Sequence, residues 1–145
     1  MTRTPPAGTD TDPEVGTLMS RQLVAIVPEA TTIVALRLMI TTGVRHLPVV
    51  ADSRVLGVLT ETDLLHALGD PGGDGRTVAT LARAAVVVRS ADRRGEAARR
   101  MYEAGADAVV VADPADPDDP EVGGGRLVGI VTATDVLRSL AGGHR

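Results

Sequence analysis

The chain repeats itself, and the repeat limits what it can fold into more than any other feature. Val15-Gly16-Thr17-Leu18 returns 63 residues on as Val78-Ala79-Thr80-Leu81. Gly43-Val44-Arg45-His46-Leu47-Pro48-Val49-Val50 returns 62 residues on as Gly105-Ala106-Asp107-Ala108-Val109-Val110-Val111-Ala112. The clearest return is Gly57-Val58-Leu59-Thr60-Glu61-Thr62-Asp63-Leu64-Leu65, matched 72 residues later by Gly129-Ile130-Val131-Thr132-Ala133-Thr134-Asp135-Val136-Leu137. A unit this short is a supersecondary piece that cannot cover its own apolar face, so the two copies need each other. The step from 62 to 72 locates an insertion, Asp113 to Gly125, whose Pro, Asp and Gly content predicts a solvent loop between two strands.

Each copy has the same order of signals. A short apolar strand (Leu23 to Val27; Ala85 to Val88) precedes a helix that begins near Thr31 or Asp92 and stops at Gly43 or Gly105. Two apolar runs follow, Leu47 to Ala51 with Val55 to Thr60, and Ala108 to Ala112 with Leu127 to Thr132. A second short helix then starts at about Glu61 or Ala133. The expectation is an α+β chain of two tandem β-α-β-β-α repeats with small mixed sheets. Repeat 1 occupies 15–69, a linker 70–77 and repeat 2 78–141 with the 113–125 insertion; 1–14 and 142–145 are tails, the first disordered. The run Ile33 to Ile40 is apolar almost all round and predicts a second contact surface for its helix, such as another protomer.

Composition excludes several functions. Phe and Trp are absent and Tyr102 is the one aromatic residue, so the stacking platforms of single-strand nucleic-acid binders are missing. A net charge of −4 and a pI near 5.3 argue against a phosphate-backbone reader, which carries a basic surface. Without cysteine there is no disulfide, thiolate nucleophile or cysteine-ligated metal. No run approaches the ~20 apolar residues of a membrane span, and residues 1–16 lack a signal-peptide core, so no membrane partner is expected and a cytoplasmic location is. No nucleophile elbow, Walker loop or zinc motif is present, and the reading is of a chain that is not an enzyme.

The signal that could carry chemistry is Thr60-Glu61-Thr62-Asp63 and its repeat Thr132-Ala133-Thr134-Asp135, each where a strand enters a helix. Two readings share this geometry. Thr-x-x-Asp is a capping box, the hydroxyl accepting from the third amide and the acid reaching back to the first. A helix N-terminus also attracts anions, and a carboxylate there can accept a bidentate contact from vicinal ribose hydroxyls. The middle threonine recurs in both copies, and a cap alone does not demand it.

The repeat, the run Gly43 to Val50 and Gly-h-h-Thr-x-Thr-Asp in each copy (h apolar) together resemble a tandem CBS-domain pair, or Bateman module, over about residues 15 to 141. The resemblance implies a pseudo-two-fold pair with two inter-repeat clefts and no required cofactor. The candidate ligands are AMP, ADP, ATP, S-adenosylmethionine or NAD. It implies that Asp63 and Asp135 accept the ribose, that Thr60, Thr62, Thr132 and Thr134 lie near ribose or phosphate, and that adenine meets the strand edges at Val24, Ala25, Val86 and Val87. Arg45 and His46 match positions that often face phosphates; repeat 2 has Asp107 and Ala108 there, so the two clefts should differ.

The remaining polar residues have simpler roles. His46 is equally readable as a half-buried strand-edge residue, and His66 and His144 as solvent-facing. Arg93, Arg94, Arg99 and Arg100 are expected on the wet face of their helix, and the acids of 113–121 in a solvated loop. No histidine set makes a metal site. The leading functional expectation is a regulatory module sensing an adenosyl small molecule, as a homodimer that signals to an unidentified protein partner. The alternative is a dimerisation or interaction module with degenerate clefts.

Overall fold

The computed structural model describes residues 12–114, 118 and 125–142. The first eleven residues, 143–145 with His144, and most of the insertion (115–117 and 119–124) lie outside the described residues.

The elements run α1 (Thr32–Thr42), β1 (His46–Ala51), β2 (Arg54–Thr60), α2 (Glu61–Leu68), β3 (Val87–Val88), α3 (Arg94–Ala104), β4 (Ala108–Pro114), β5 (Gly125–Thr132) and α4 (Ala133–Leu140), with 3₁₀ turns at Val15–Thr17, Gly73–Gly75 and Val78–Thr80. The mixed α+β expectation therefore holds. Thr31 caps α1 by accepting from the Val34 amide, and the helix ends at Gly43 with φ 78°. Gly105 ends α3 in the same left-handed conformation at φ 63°, which a Cβ would make costly.

One strand expectation needs correcting. Leu23 to Val27 forms no ladder; it makes a single parallel bridge, Ile26 to Val49, with the Ile26 amide donating to the Pro48 carbonyl and Ile26 accepting from Val50. Its counterpart β3 is two residues long, pairing Val87 with Val110 and Val88 with Val111 in parallel. Pro28 two residues on has no amide to extend a ladder. β1 and β2 form an antiparallel hairpin, turned by Asp52 and Ser53 at φ 52° and 63°, with a register irregularity between Val49 and Val50.

The chain divides into two compact units. One contains 22–85, hence most of repeat 1, together with the described residues of 113–127; the other contains 86–112 and 128–142 together with 12–21. Each has its own apolar core. The repeat 1 core is Ile26, Ala35, Met39, Leu47, Val49, Leu59, Leu64 and Val78, and that of repeat 2 is Val88, Ala97, Met101, Val109, Val111, Val131, Val136 and Val15. Every position in one core has its sequence equivalent in the other. The leading residue, however, is exchanged: Val15 belongs to the core of repeat 2, and Val78 to that of repeat 1.

Backbone hydrogen bonds lock the exchange. Val78 and Ala79 donate to the carbonyls of Ala30 and Pro28, and Thr32 donates to Arg76. In the other unit Val15 and Gly16 donate to Asp92 and Ser90, and Arg94 donates to Pro13. Residues 70–77 are thus partly tied down: Gly73 is buried and its carbonyl accepts from the Thr32 hydroxyl.

Candidate functional site

In the unit of repeat 1, three strand-end and helix-start features meet. Thr60 closes β2 and caps α2, its hydroxyl accepting from the Asp63 amide at 3.1 Å. His46, half-buried, pairs across the hairpin with Thr60. The carbonyl of exposed Arg45 accepts from the Glu61 amide at 2.9 Å. Thr62, on the first turn, is exposed. Thr60, Asp63, Arg45 and His46 therefore belong to one local surface around the start of α2.

Asp63 does not complete a capping box. Its two carboxylate oxygens are held by Arg83, Nε donating to Oδ2 at 2.6 Å and Nη2 to Oδ1 at 2.9 Å. The Arg83 hydrogen bonds and charge, with smaller help from Thr60 and His66, outweigh partial burial and keep the Asp63 carboxyl below its ordinary range. Arg83 reaches it because residues 82–83 lie along β2: the amides and carbonyls of Arg83 and Val58 exchange hydrogen bonds at 2.9 Å. Gly57 permits the approach, since a Cβ there would stand 2.5 Å from the Arg83 carbonyl oxygen. A groove of about 360 Å³ runs beside the pair, lined among others by His66, Asp70, Arg76 and Thr80.

The unit of repeat 2 repeats this scaffold with a different outcome. Thr132 accepts from the Asp135 amide at 3.2 Å, and Asp135 Oδ2 accepts from the Thr132 amide at 2.9 Å, a full capping box. Asp135 Oδ1 has a looser ion pair with Arg138 at 3.8 Å. The Ala133 amide donates to the Asp107 carbonyl at 2.8 Å, as Glu61 does to Arg45. The residue that exchanges backbone hydrogen bonds with β5 is Ser20, paired with Ile130, and Gly129 leaves it room. Ser20 is therefore the counterpart of Arg83, both by the 63-residue offset and by backbone pairing.

The family model for the CBS domain matches twice, over residues 15–70 and 78–142. This chain belongs to the CBS-domain family. Among solved structures, the CBS domain of a bacterial CNNM/CorC family Mg²⁺ transporter in complex with ATP is similar at 26% identity and TM-score 0.73, covering 89% of this chain and 87% of that one. CBSX2 in complex with AMP is similar at 28% identity and TM-score 0.69, covering 88% and 96%. The CBS domain pair of protein MJ0100, in complex with 5′-methylthioadenosine and S-adenosyl-L-methionine, shares the fold at 22% identity and TM-score 0.76, covering 90% and 98%. Comparison with curated proteins gives no match.

The CBS site residues expected from sequence fall into the two units separately. Val24, Ala25, Arg45, His46, Thr60, Thr62 and Asp63 lie in one; Val86, Val87, Thr132, Thr134 and Asp135 lie in the other. Val24 and Val86 are half-buried against their cores, Val86 also accepting from the Val110 amide, while Ala25 and Val87 are exposed beside them.

One of the four arginines assigned to a wet helix face is not there. Arg94 is buried, its Nη1 donating to the buried Ser139 hydroxyl at 3.0 Å, because the first turn of α3 packs toward α4. Arg99 does sit on the exposed face, paired with Glu96 and Glu103. Sequence reasoning missed Arg83. Its signal was present: within a matched repeat, an arginine in one copy faces a serine in the other. Among the described residues no group of three or more histidine and acidic side chains is placed to hold a metal ion, and no helix is long and apolar enough to cross a membrane.

Proposed function

We propose that the chain is a non-catalytic regulatory module that binds an adenosyl small molecule, an adenine nucleotide or a related compound. The observation that carries this reading is the placement of Thr-x-Thr-Asp at a strand-to-helix junction in both units, with a half-buried carboxylate on the first helical turn. A carboxylate there can accept both hydroxyls of a ribose, and the positive end of the helix favours the anionic part of a nucleotide. Arg45 and His46 beside α2 add donors for phosphate in the first unit. The ATP and AMP complexes of the two relatives above 25% identity support the ligand class.

The test is a thermal-shift panel of the purified chain with AMP, ADP, ATP, S-adenosylmethionine and NAD, since selective binding to the folded state raises the midpoint. A rise with an adenosyl compound that is lost in Asp135→Ala supports the reading. No rise with any of them, and none by calorimetric titration, overturns it.

We further propose a homodimer as the working form, supported by the exposure of Ile40 on α1 and of Leu137 and Leu140 on α4. Sedimentation equilibrium showing a monomer at micromolar concentration would remove that part.

A further inference from the structure

The two copies of Thr-x-Thr-Asp are chemically unequal, and the inequality comes from a residue outside the motif. At Asp135 the capping box uses Oδ2, leaving Oδ1 with an ion pair at 3.8 Å to an exposed arginine. At Asp63 both oxygens are taken by one guanidinium, in the planar two-point geometry that vicinal hydroxyls of a ribose would need. Asp63 is 18% exposed and Arg83 71%. The carboxylate is therefore recessed, and its cover comes from the solvent side.

We propose that Arg83 is a built-in occupant of the Asp63 position, so that a ligand enters there only by displacing it, whereas among the described residues no side chain takes both oxygens at the Asp135 position. The proposal rests on the adenosyl reading above and adds a hierarchy to it: the Asp135 site fills first and the Asp63 site second. Displacement is feasible because backbone hydrogen bonds of Arg83 to Val58 hold the segment on β2 whatever its side chain does, and because the groove beside it offers Asp70 as another acid. The same geometry makes the side chain removable. Arg83→Ser installs the residue that its counterpart Ser20 already carries on an equivalent backbone pair, so the fold should survive.

Titration calorimetry with AMP, ADP, ATP, S-adenosylmethionine and NAD tests this on the full chain, on Asp63→Ala, on Asp135→Ala and on Arg83→Ser. The Asp63 binding class is the one that disappears in Asp63→Ala. Arg83→Ser is expected to strengthen that class roughly two- to fivefold, the effect of removing a competitor with the strength of a partly exposed bidentate pair, and to leave the Asp135 class unchanged. Unchanged or weakened binding at Asp63 in Arg83→Ser would overturn the proposal, weakening showing that Arg83 contacts ligand instead of competing with it. Absence of binding by AMP, ADP, ATP, S-adenosylmethionine and NAD alike, in the parent and in Arg83→Ser, would overturn the adenosyl reading itself and the occupant with it, an outcome distinct from two intact sites indifferent to Arg83.

Discussion

Arg83 and Asp63 show how a single side chain decides the state of a site. The Asp63 carboxyl is lowered in the fold chiefly by the Arg83 hydrogen bonds, so the pair stabilises the protein above the ordinary carboxylate range, and that stability is lost as pH falls through the lower folded value. Thermal midpoints of the parent and Arg83→Ser should therefore differ most above the ordinary carboxylate range and converge as pH falls through the lowered Asp63 value. With Arg83 mostly in solvent the difference should stay within about 1 kcal/mol and shrink with added salt. Gly57 works at the same scale by steric means. Because its Cβ would meet the Arg83 carbonyl oxygen at 2.5 Å, Gly57→Ala must push residues 82–83 off β2. Chemical denaturation should show a loss of about 1–3 kcal/mol, against less than about 0.5 kcal/mol for a substitution at an exposed surface position.

At the scale of elements, the hairpin and the α3–α4 pair carry identifiable costs. The β1–β2 turn places both Asp52 and Ser53 at positive φ, the two-residue geometry usually served by Asn-Gly. Ser53→Gly should relieve the strain at one of these and raise stability by about 1 kcal/mol, measured by urea unfolding. In the α3–α4 pair, a buried guanidinium donates to a buried hydroxyl. Arg94→Ala leaves Ser139 without that donor and should cost about 1–3 kcal/mol, while Arg94→Met with Ser139→Ala, which removes both polar groups and keeps most of the stem, should recover part of the loss. Helix boundaries were legible in sequence, since Thr31, Gly43, Gly105 and the two Thr-x-Thr-Asp runs are local stop and start signals. The first strands were not, because one or two residues of parallel pairing depend on where the partner strand lies.

For the whole molecule the exchanged leading segments matter most. Val15 is fully buried in the core of repeat 2 and Val78 in that of repeat 1. Val15→Ala and Val78→Ala should each cost about 2 kcal/mol through lost methyl burial and the cavity left behind. Hydrogen exchange should separate them: Val15→Ala is expected to loosen α3, β4 and α4, and Val78→Ala to loosen α1, β1 and α2. If each instead loosened the repeat to which it belongs in sequence, the exchange would be refuted. The arrangement also has a consequence for folding, since neither core is complete until chain from both repeats is present. Separate expression of either repeat should give a protein without a cooperative transition.

The duplication, the α+β class, the membership in the CBS family and the aliphatic cores follow from the sequence alone, because periodicity, glycine stops and caps are local and recur twice in register. The positions of Thr60, Asp63, Thr132 and Asp135 at helix starts are legible for the same reason. Which acid is capped by its own helix and which is held by an arginine twenty residues away is a tertiary fact: it needed residues 82–83 laid along β2 and residue 20 against β5. The burial of Arg94 and the exchange of Val15 and Val78 are tertiary in the same sense. Each depends on a pairing between segments distant in the chain, and pairing of that kind leaves no period in the sequence to read.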